Sequence, residues 1–360
     1  MTDLVSLQDR AEAHAAAIDP LAPLRRLPRL TLAHLPTPVE RMPRLAAKLG
    51  LEELWVKRDD CTGLGLGGNK VRKLEFGLAA AMRAGADCVV CGGVVQSNTA
   101  RQVAAACARM GIECHLGIMR GRLATTEPGY ESSGNILLDR LYGAILHDIP
   151  WDENRNRHLQ AIVEKLKAAG RRPYLVPYGA SDALGAMGYA AAAEEILRDL
   201  PDVAWIVHGS GSAGTQAGLL AGLLALDHAA RVIGVDVDAQ PERVRADVCR
   251  VGREAAALLG IASLWKDERV EVVGDWSAGA YGVLDATTEE AIRLAARCEG
   301  LALDPVYAGK AIAGLIGLAR RGRFREGGPV LWIHTGGIPG IFAYPATFSR
   351  LSGEEAIAEV

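Results

Sequence analysis

The chain has 360 residues, 40 Lys+Arg against 43 Asp+Glu, and a formal charge of −3. Apolar residues make up 49%, charged residues 23% and aromatics 5%, which excludes a disordered chain, a collagen-like repeat and a strongly basic nucleic-acid binder. The length suits two domains, and the 41 glycines together with abundant alanine suit helices packed closely on a sheet.

In chain order, Leu54–Arg58 reads as a strand followed by the Gly-rich loop Gly63–Asn69. Val71, Leu74, Leu78, Ala81 and Met82 then recur at helical spacing. Cys88–Val95 is a strand, Thr99–Met110 a helix and Glu113–Ile118 a strand. Tyr174–Val176 is a strand leading through the turn Gly179–Gly185 to a helix ending near Leu197. Ala204–His208, the helix Thr215–Ala225, Arg231–Val237 and the late strand Val330–His334 complete the set. Strand–helix alternation predicts α/β architecture with parallel-rich sheets flanked by helices. Ligands in such folds bind beyond the carboxyl ends of strands. Three Gly-rich loops fall there, at 63–68, 209–214 and 336–337.

The longest apolar run, Ala217–Leu226, is half of the roughly 20 residues a membrane helix needs, so no membrane association is expected. Met1–Ala17 has no basic-then-apolar secretory pattern. The odd count of seven cysteines then reads as reduced thiols in a cytoplasmic protein. Cys88 and Cys91 have CxxC spacing but lie in an apolar strand, so buried thiols are favoured over a metal or redox pair. The eight histidines show no ligand spacing, and no metal site is expected.

His208-Gly-Ser-Gly-Ser-Ala-Gly-Thr-Gln216 joins a strand to a helix. Gly-Ser turns also serve as plain connections. Three glycines and the hydroxyls of Ser210, Ser212 and Thr215 in one junction favour phosphate binding at the helix N-terminus. Gly209, Gly211 and Gly214 also satisfy G-x-G-x-x-G, with Asp236 22 residues further on, a dinucleotide pattern. This segment alone therefore leaves a nicotinamide oxidoreductase open.

Lys70 follows the first Gly-rich loop at a helix start, with Arg72 and Lys73 close by. The helix dipole and these neighbours would lower its pKa and make it a nucleophile. On spacing alone, a solvated basic face is the favoured reading. Gln96-Ser-Asn-Thr-Ala-Arg101 opens the next helix, with Ser97 or Asn98 as N-cap. Asp59 and Asp60 read as loop anchors for Lys57 and Arg58, and His334 as acid–base or structural.

Several stretches together resemble the family of D-cysteine desulfhydrase and 1-aminocyclopropane-1-carboxylate deaminase, pyridoxal-phosphate enzymes of the tryptophan-synthase-β type (fold type II). They are Leu35–Glu40, Trp55–Asp60, Gly67–Phe76, Gln96–Asn98 with Arg101–Ala105, Glu131–Asn135, Gly209–Gly218, Asp304–Tyr307 with Gly309-Lys310, and His334–Gly337. They run in order from about residue 30 to 345.

The resemblance implies a lyase with pyridoxal 5'-phosphate held covalently by Lys70. Asn98 would bond the ring hydroxyl, Gly211, Ser212, Ala213, Gly214 and Thr215 would cradle the phosphate, and Thr335 would lie near the pyridine nitrogen. Asn69 and Gly209 would also touch the cofactor. Ser97, Gln96, Thr99 and Tyr307 would meet a small amino-acid substrate, with Lys70, Ser97 and Tyr307 catalytic. It further implies a homodimer, with residues 1–76 and 185–360 forming a large domain and 77–184 a small inserted one. The expected reaction is β-elimination from D-cysteine to pyruvate, ammonia and sulfide. The alternatives are sulfite release from L-cysteate and cyclopropane ring opening, and a non-catalytic amino-acid sensor is the rival from outside enzymology. The family's deaminases carry glutamate where this chain has Ala308, which argues against ring opening. Family members often have histidine or glutamine at Thr99.

Overall fold

A computed structural model describes residues 19–124, 126–152 and 155–349. Met1–Ala17, and the outer ends of the expected large domain at 1–18 and 350–360, lie outside the described residues. The strands are β1 Val39–Arg41, β2 Leu54–Lys57, β3 Cys88–Val94, β4 Glu113–Arg120, β5 Ile145–Pro150, β6 Pro173–Leu175, β7 Trp205–Ser210, β8 Arg231–Asp236, β9 Glu271–Val273 and β10 Val330–Ile333. The helices are α1 Ala22–Arg25, α2 Pro43–Leu49, α3 Lys70–Arg83, α4 Asn98–Met110, α5 Asn135–Leu141, α6 Arg155–Ala168 and α7 Ala183–Asp199, then α8 Gly214–Ala225, α9 Pro241–Leu258, α10 Ala286–Glu299, α11 Ala308–Arg320 and α12 Pro345–Ser349.

Two sheets organise these elements. One has six strands in the order β1-β2-β10-β7-β8-β9, parallel except for β1. The other has four parallel strands, β5-β4-β3-β6, all drawn from residues 88–175. β3 is buried along its whole length, as expected of a parallel strand covered on both faces. Its Cys88 and Cys91 are buried free thiols, in keeping with the sequence reading. β5 went unread because it is an edge strand carrying His147, Asp148 and Pro150, residues that edges tolerate and central strands do not.

The alanine and glycine content has its use between α3, α7 and α8. A Cβ at Gly188 on α7 would stand 2.6 Å from the Arg72 carbonyl carbon. One at Gly222 on α8 would stand 2.7 Å from the Ala190 oxygen. These helices approach backbone to backbone, and side chains longer than alanine would separate them. The register Leu54↔Val330 to Lys57↔Ile333, with β7 on the other flank of β10, brings the loops after β2, β10 and β7 to one edge.

Gly188→Ala should therefore push α7 off the start of α3. We expect a loss of about 1–3 kcal/mol of stability, read as a lower urea midpoint with an unchanged slope.

Candidate active site

The three loops meet around a cavity lined by Asn69, Lys70, Asn98, Thr99, Gly209–Ala213, Thr215, Tyr307 and Thr335. Close backbone approach closes its floor. Gly67 has φ +70°, and a Cβ there would stand 2.8 Å from the Asp60 carbonyl carbon. A Cβ at Gly336 (φ +92°) would stand 2.6 Å from the Gly68 Cα. Asn69 ties the loops together: its N–H donates to the Thr335 oxygen (2.9 Å) and its Nδ2 to Thr215 Oγ1 (3.1 Å).

The expected solvated basic face is not formed. Lys70 is 7% exposed, and Arg72 and Lys73 are fully buried. Arg72 is held by Asp59 (2.9 Å) and Glu195 (2.8 Å). Asp59 also accepts from Thr37 Oγ1 at 2.8 Å and from the Tyr189 hydroxyl. Burial alone would raise the Asp59 carboxyl; the Arg72 charge and these hydrogen bonds outweigh it and hold it below its ordinary value. Asp59 thus anchors Arg72 rather than Lys57, whose amine reaches the Thr37 oxygen and Glu195. Asp60 pairs with Arg58 as expected. Stripping one partner from such a buried pair typically costs about 3–5 kcal/mol, so the start of α3 is firmly fixed.

Lys70 and Lys73 have no such partner. Among the described residues, no carboxylate forms an ion pair with either amine. Lys70 Nζ lies 3.5 Å from Ser212 Oγ, and Lys73 Nζ donates to Ser181 Oγ at 3.1 Å. Ser181 in turn bonds Ser212 Oγ (2.9 Å) and accepts from the Gly214 N–H (3.2 Å). Burial lowers the Lys70 pKa to about 8. Desolvation, rather than the helix dipole, is the main cause. Burial and the neighbouring Lys70 charge push Lys73 well below its ordinary value.

This donor set fits a phosphate. The Lys70 amine, the hydroxyls of Ser212 and Thr215, and the N-terminus of α8 surround a space with no anion of the protein's own, with the Lys73 amine behind them on Ser181. Lys73, read from sequence only as a neighbour of Lys70, belongs to this constellation. Ala213 is held at φ +72°, a costly conformation for a residue with a Cβ. Asp236, the acid of the dinucleotide pattern, is spent on the N–H groups of Asp238 (3.0 Å) and Gln240 (2.6 Å). Beneath the loop, His208 is fully buried. Its Nδ1 bonds the Gly209 oxygen at 2.9 Å, and its Nε2 has no partner among the described residues. Burial lowers its pKa to about 4.

Ser97 is the N-cap of α4, its Oγ accepting from the Ala100 N–H at 3.2 Å. Asn98 is oriented by Asn135, whose Nδ2 donates to Asn98 Oδ1 at 2.9 Å and to the Gln96 oxygen at 3.0 Å. The Asn98 Nδ2 is thereby left to donate. Asn135 is itself held by Arg101 Nε (2.7 Å), and Arg101 also donates to the oxygens of Gly65 and Gly67. Gln96 and Ser97 do not line the cavity. The Gln96 amide is consumed by the oxygens of Tyr130 (2.7 Å) and Ser133 (2.9 Å) and by the Asn135 N–H (2.9 Å).

Tyr307 is positioned by Asp304, which accepts the N–H groups of Val306, Tyr307 and Ala308 at 2.8–3.0 Å. Its ring meets that of Tyr281 edge-on at 5.5 Å. Burial and the neighbouring Tyr178 push the Tyr307 phenol well above its ordinary value, against the opposing hydrogen bond with Tyr281, so it stays protonated near neutrality. Tyr281 escaped the sequence reading; its one signal is an aromatic ring set between Gly279 and Gly282. His334 is structural: Nε2 faces the Ala302 oxygen (3.3 Å) and Nδ1 accepts the Gly336 N–H (3.3 Å). Burial lowers its pKa.

Comparisons with known proteins agree with this geometry. Residues 30–336 match the family described as "Pyridoxal-phosphate dependent enzyme". The D-cysteine desulfhydrase of Salmonella typhi is 42% identical over 328 residues, covering 90% of this chain and 98% of that protein. The protein of the same name from Salmonella newport (strain SL254) gives the same figures. The crystal structure of an ACC deaminase homologue superposes with a TM-score of 0.84 at 36% identity, covering 93% of this chain and 99% of that one. O-ureido-L-serine synthase shares the fold alone: TM-score 0.65 at 18% identity, covering 91% and 96% of the two chains.

Proposed function

The chain belongs to the pyridoxal-phosphate dependent enzyme family, and from that premise we propose that it is a lyase eliminating the β-substituent of a small amino acid, foremost D-cysteine. The net reaction is D-cysteine plus water to pyruvate, ammonia and hydrogen sulfide. The relatives named D-cysteine desulfhydrase support the substrate. The observation that carries the reaction type is a buried lysine amine of pKa about 8 in a cavity whose lining contains no carboxylate.

When bound, the cofactor supplies a sink for the electron pair left at Cα. Lys70 would hold it through its amine and, once displaced, would carry the Cα proton. An amine titrating near 8 can both accept and return a proton at neutral pH. Lys73, Ser212, Thr215 and the N-terminus of α8 would hold the phosphate, and the Asn98 Nδ2 the ring hydroxyl. The N-terminal turn of α4, with Thr99, would take the substrate carboxylate. The protonated Tyr307 would donate to the departing thiolate. The enamine left by sulfide loss then hydrolyses to pyruvate and ammonia.

Thr335, which lines the cavity, would offer the ring nitrogen a neutral hydroxyl, and Ala308 is fully buried. A weaker electron sink suffices for a good leaving group such as sulfide, which favours β-elimination over ring opening. The family resemblance supports a homodimer and a small inserted domain at 77–184. The free cysteines fit a reducing cytoplasm, and no described helix is long and apolar enough to cross a membrane.

Lys70→Ala should lose the visible absorbance of the bound cofactor and all turnover. Borohydride-treated wild type should carry the pyridoxyl mass on the peptide spanning Gly67 to Arg72; a tag elsewhere overturns the assignment. A product screen with D-cysteine, L-cysteine, L-cysteate, D-serine and 1-aminocyclopropane-1-carboxylate should give most pyruvate from D-cysteine. Main product from the cyclopropane would overturn the reaction type.

Capture of pyridoxal phosphate by apoprotein requires the neutral Lys70 amine. Its rate should rise about tenfold per pH unit below the Lys70 pKa and level off above about 8, followed by stopped-flow absorbance.

A further inference from the structure

Lys310 lies in the first turn of α11, the positive end of the helix, and is fully buried. A lysine is poorly placed there unless something else neutralises it. Among the described residues, no carboxylate forms an ion pair with it. Its ammonium donates instead to three backbone carbonyls: Ser277 at 2.6 Å, Ala280 at 2.6 Å and Val237 at 3.1 Å.

These carbonyls come from two segments that border the site. Val237 follows β8, and its Cγ2 stands 3.3 Å from where a Cβ at Gly211 would be. Ser277 and Ala280 belong to the turn after β9, and Ala280 directly precedes Tyr281. Lys310 itself is three residues beyond Tyr307, against which Tyr281 packs. The ammonium therefore joins the wall behind the phosphate loop, the segment carrying Tyr281 and the helix carrying Tyr307.

A ring of backbone carbonyls around an unhydrated positive charge is the environment proteins give a monovalent cation. A lysine ammonium has the charge of a potassium ion and nearly its size. We propose that Lys310 is a tethered cation, a positioning residue whose ammonium gathers the carbonyls of Val237, Ser277 and Ala280 and so sets Tyr281 against Tyr307. The cage would accept free potassium or ammonium once the side chain is shortened.

The test compares wild type, Lys310→Ala and Lys310→Met, each loaded with pyridoxal phosphate. Chloride salts of choline, sodium, potassium and ammonium are used at one ionic strength of about 0.1 M. In choline, Lys310→Ala should lose roughly 100-fold in kcat, the order of loss that misplaced catalytic groups produce. Potassium or ammonium should restore at least about tenfold of that and raise the melting temperature by several degrees, as ligand binding to the folded state requires. Lys310→Met fills the space with an apolar chain and should respond to neither ion.

Wild type should melt at the same temperature in choline and in potassium. The proposal fails if Lys310→Ala gains no more from potassium or ammonium than from choline. It also fails if wild type is itself stabilised by potassium over choline, a comparison that stands even if the alanine variant does not fold. The kcat measurements rest on the lyase reading. The melting measurements do not, so failure of one reading is distinguishable from failure of the other.

Discussion

Helix α3 opens with three basic residues inside the protein, and the organisation of the site follows from how their charges are met. Arg72 is neutralised by Asp59 and Glu195, which fixes the helix start against β2 and α7. Lys70 and Lys73 receive only hydroxyls and a backbone carbonyl. Desolvation without compensation is costly, and it keeps both amines ready to shed protons. One segment thus combines a rigid anchor with two reactive positions, and the difference lies entirely in where the carboxylates are placed.

The second constraint is steric. The Lys70 loop and the Gly336 turn approach with little more than main chain between them. The same economy governs α3, α7 and α8, where glycines and alanines let helix backbones touch. The amine, the hydroxyl-rich loop and the Asn98 amide are consequently held by main-chain hydrogen bonds and buried networks rather than by long mobile side chains. Such preorganisation is what proton transfer at carbon needs.

Much of this was legible in the chain itself. The apolar runs with glycine at their ends located β2, β3, β7, β8 and β10, because buried parallel strands write themselves as continuous hydrophobic stretches. The Gly-Gly-Asn-Lys and Gln-Ser-Asn motifs located part of the cavity because each carries adjacent lining residues, Asn69 with Lys70 and Asn98 with Thr99. What stayed hidden depends on distant partners. The burial of Arg72 is set by Glu195, 123 residues away. The orientation of Asn98 is set by Asn135, 37 residues away. Gln96 looked like a ligand for substrate, yet its amide is consumed at Tyr130, Ser133 and Asn135, which spacing cannot reveal. Helices α9, α10 and α11 were passed over because they lie between motifs that drew the reading to strand ends.

His208 carries a consequence of its own. It is neutral in the folded protein, with its pKa lowered to about 4, against an ordinary value near 6.5. Between those limits the unfolded chain takes up a proton that the native chain refuses, so stability falls as the medium acidifies, by up to about 1.4 kcal/mol per pH unit. The imidazole sits on β7, just before the junction with α8, so this acid sensitivity is built into the six-stranded sheet.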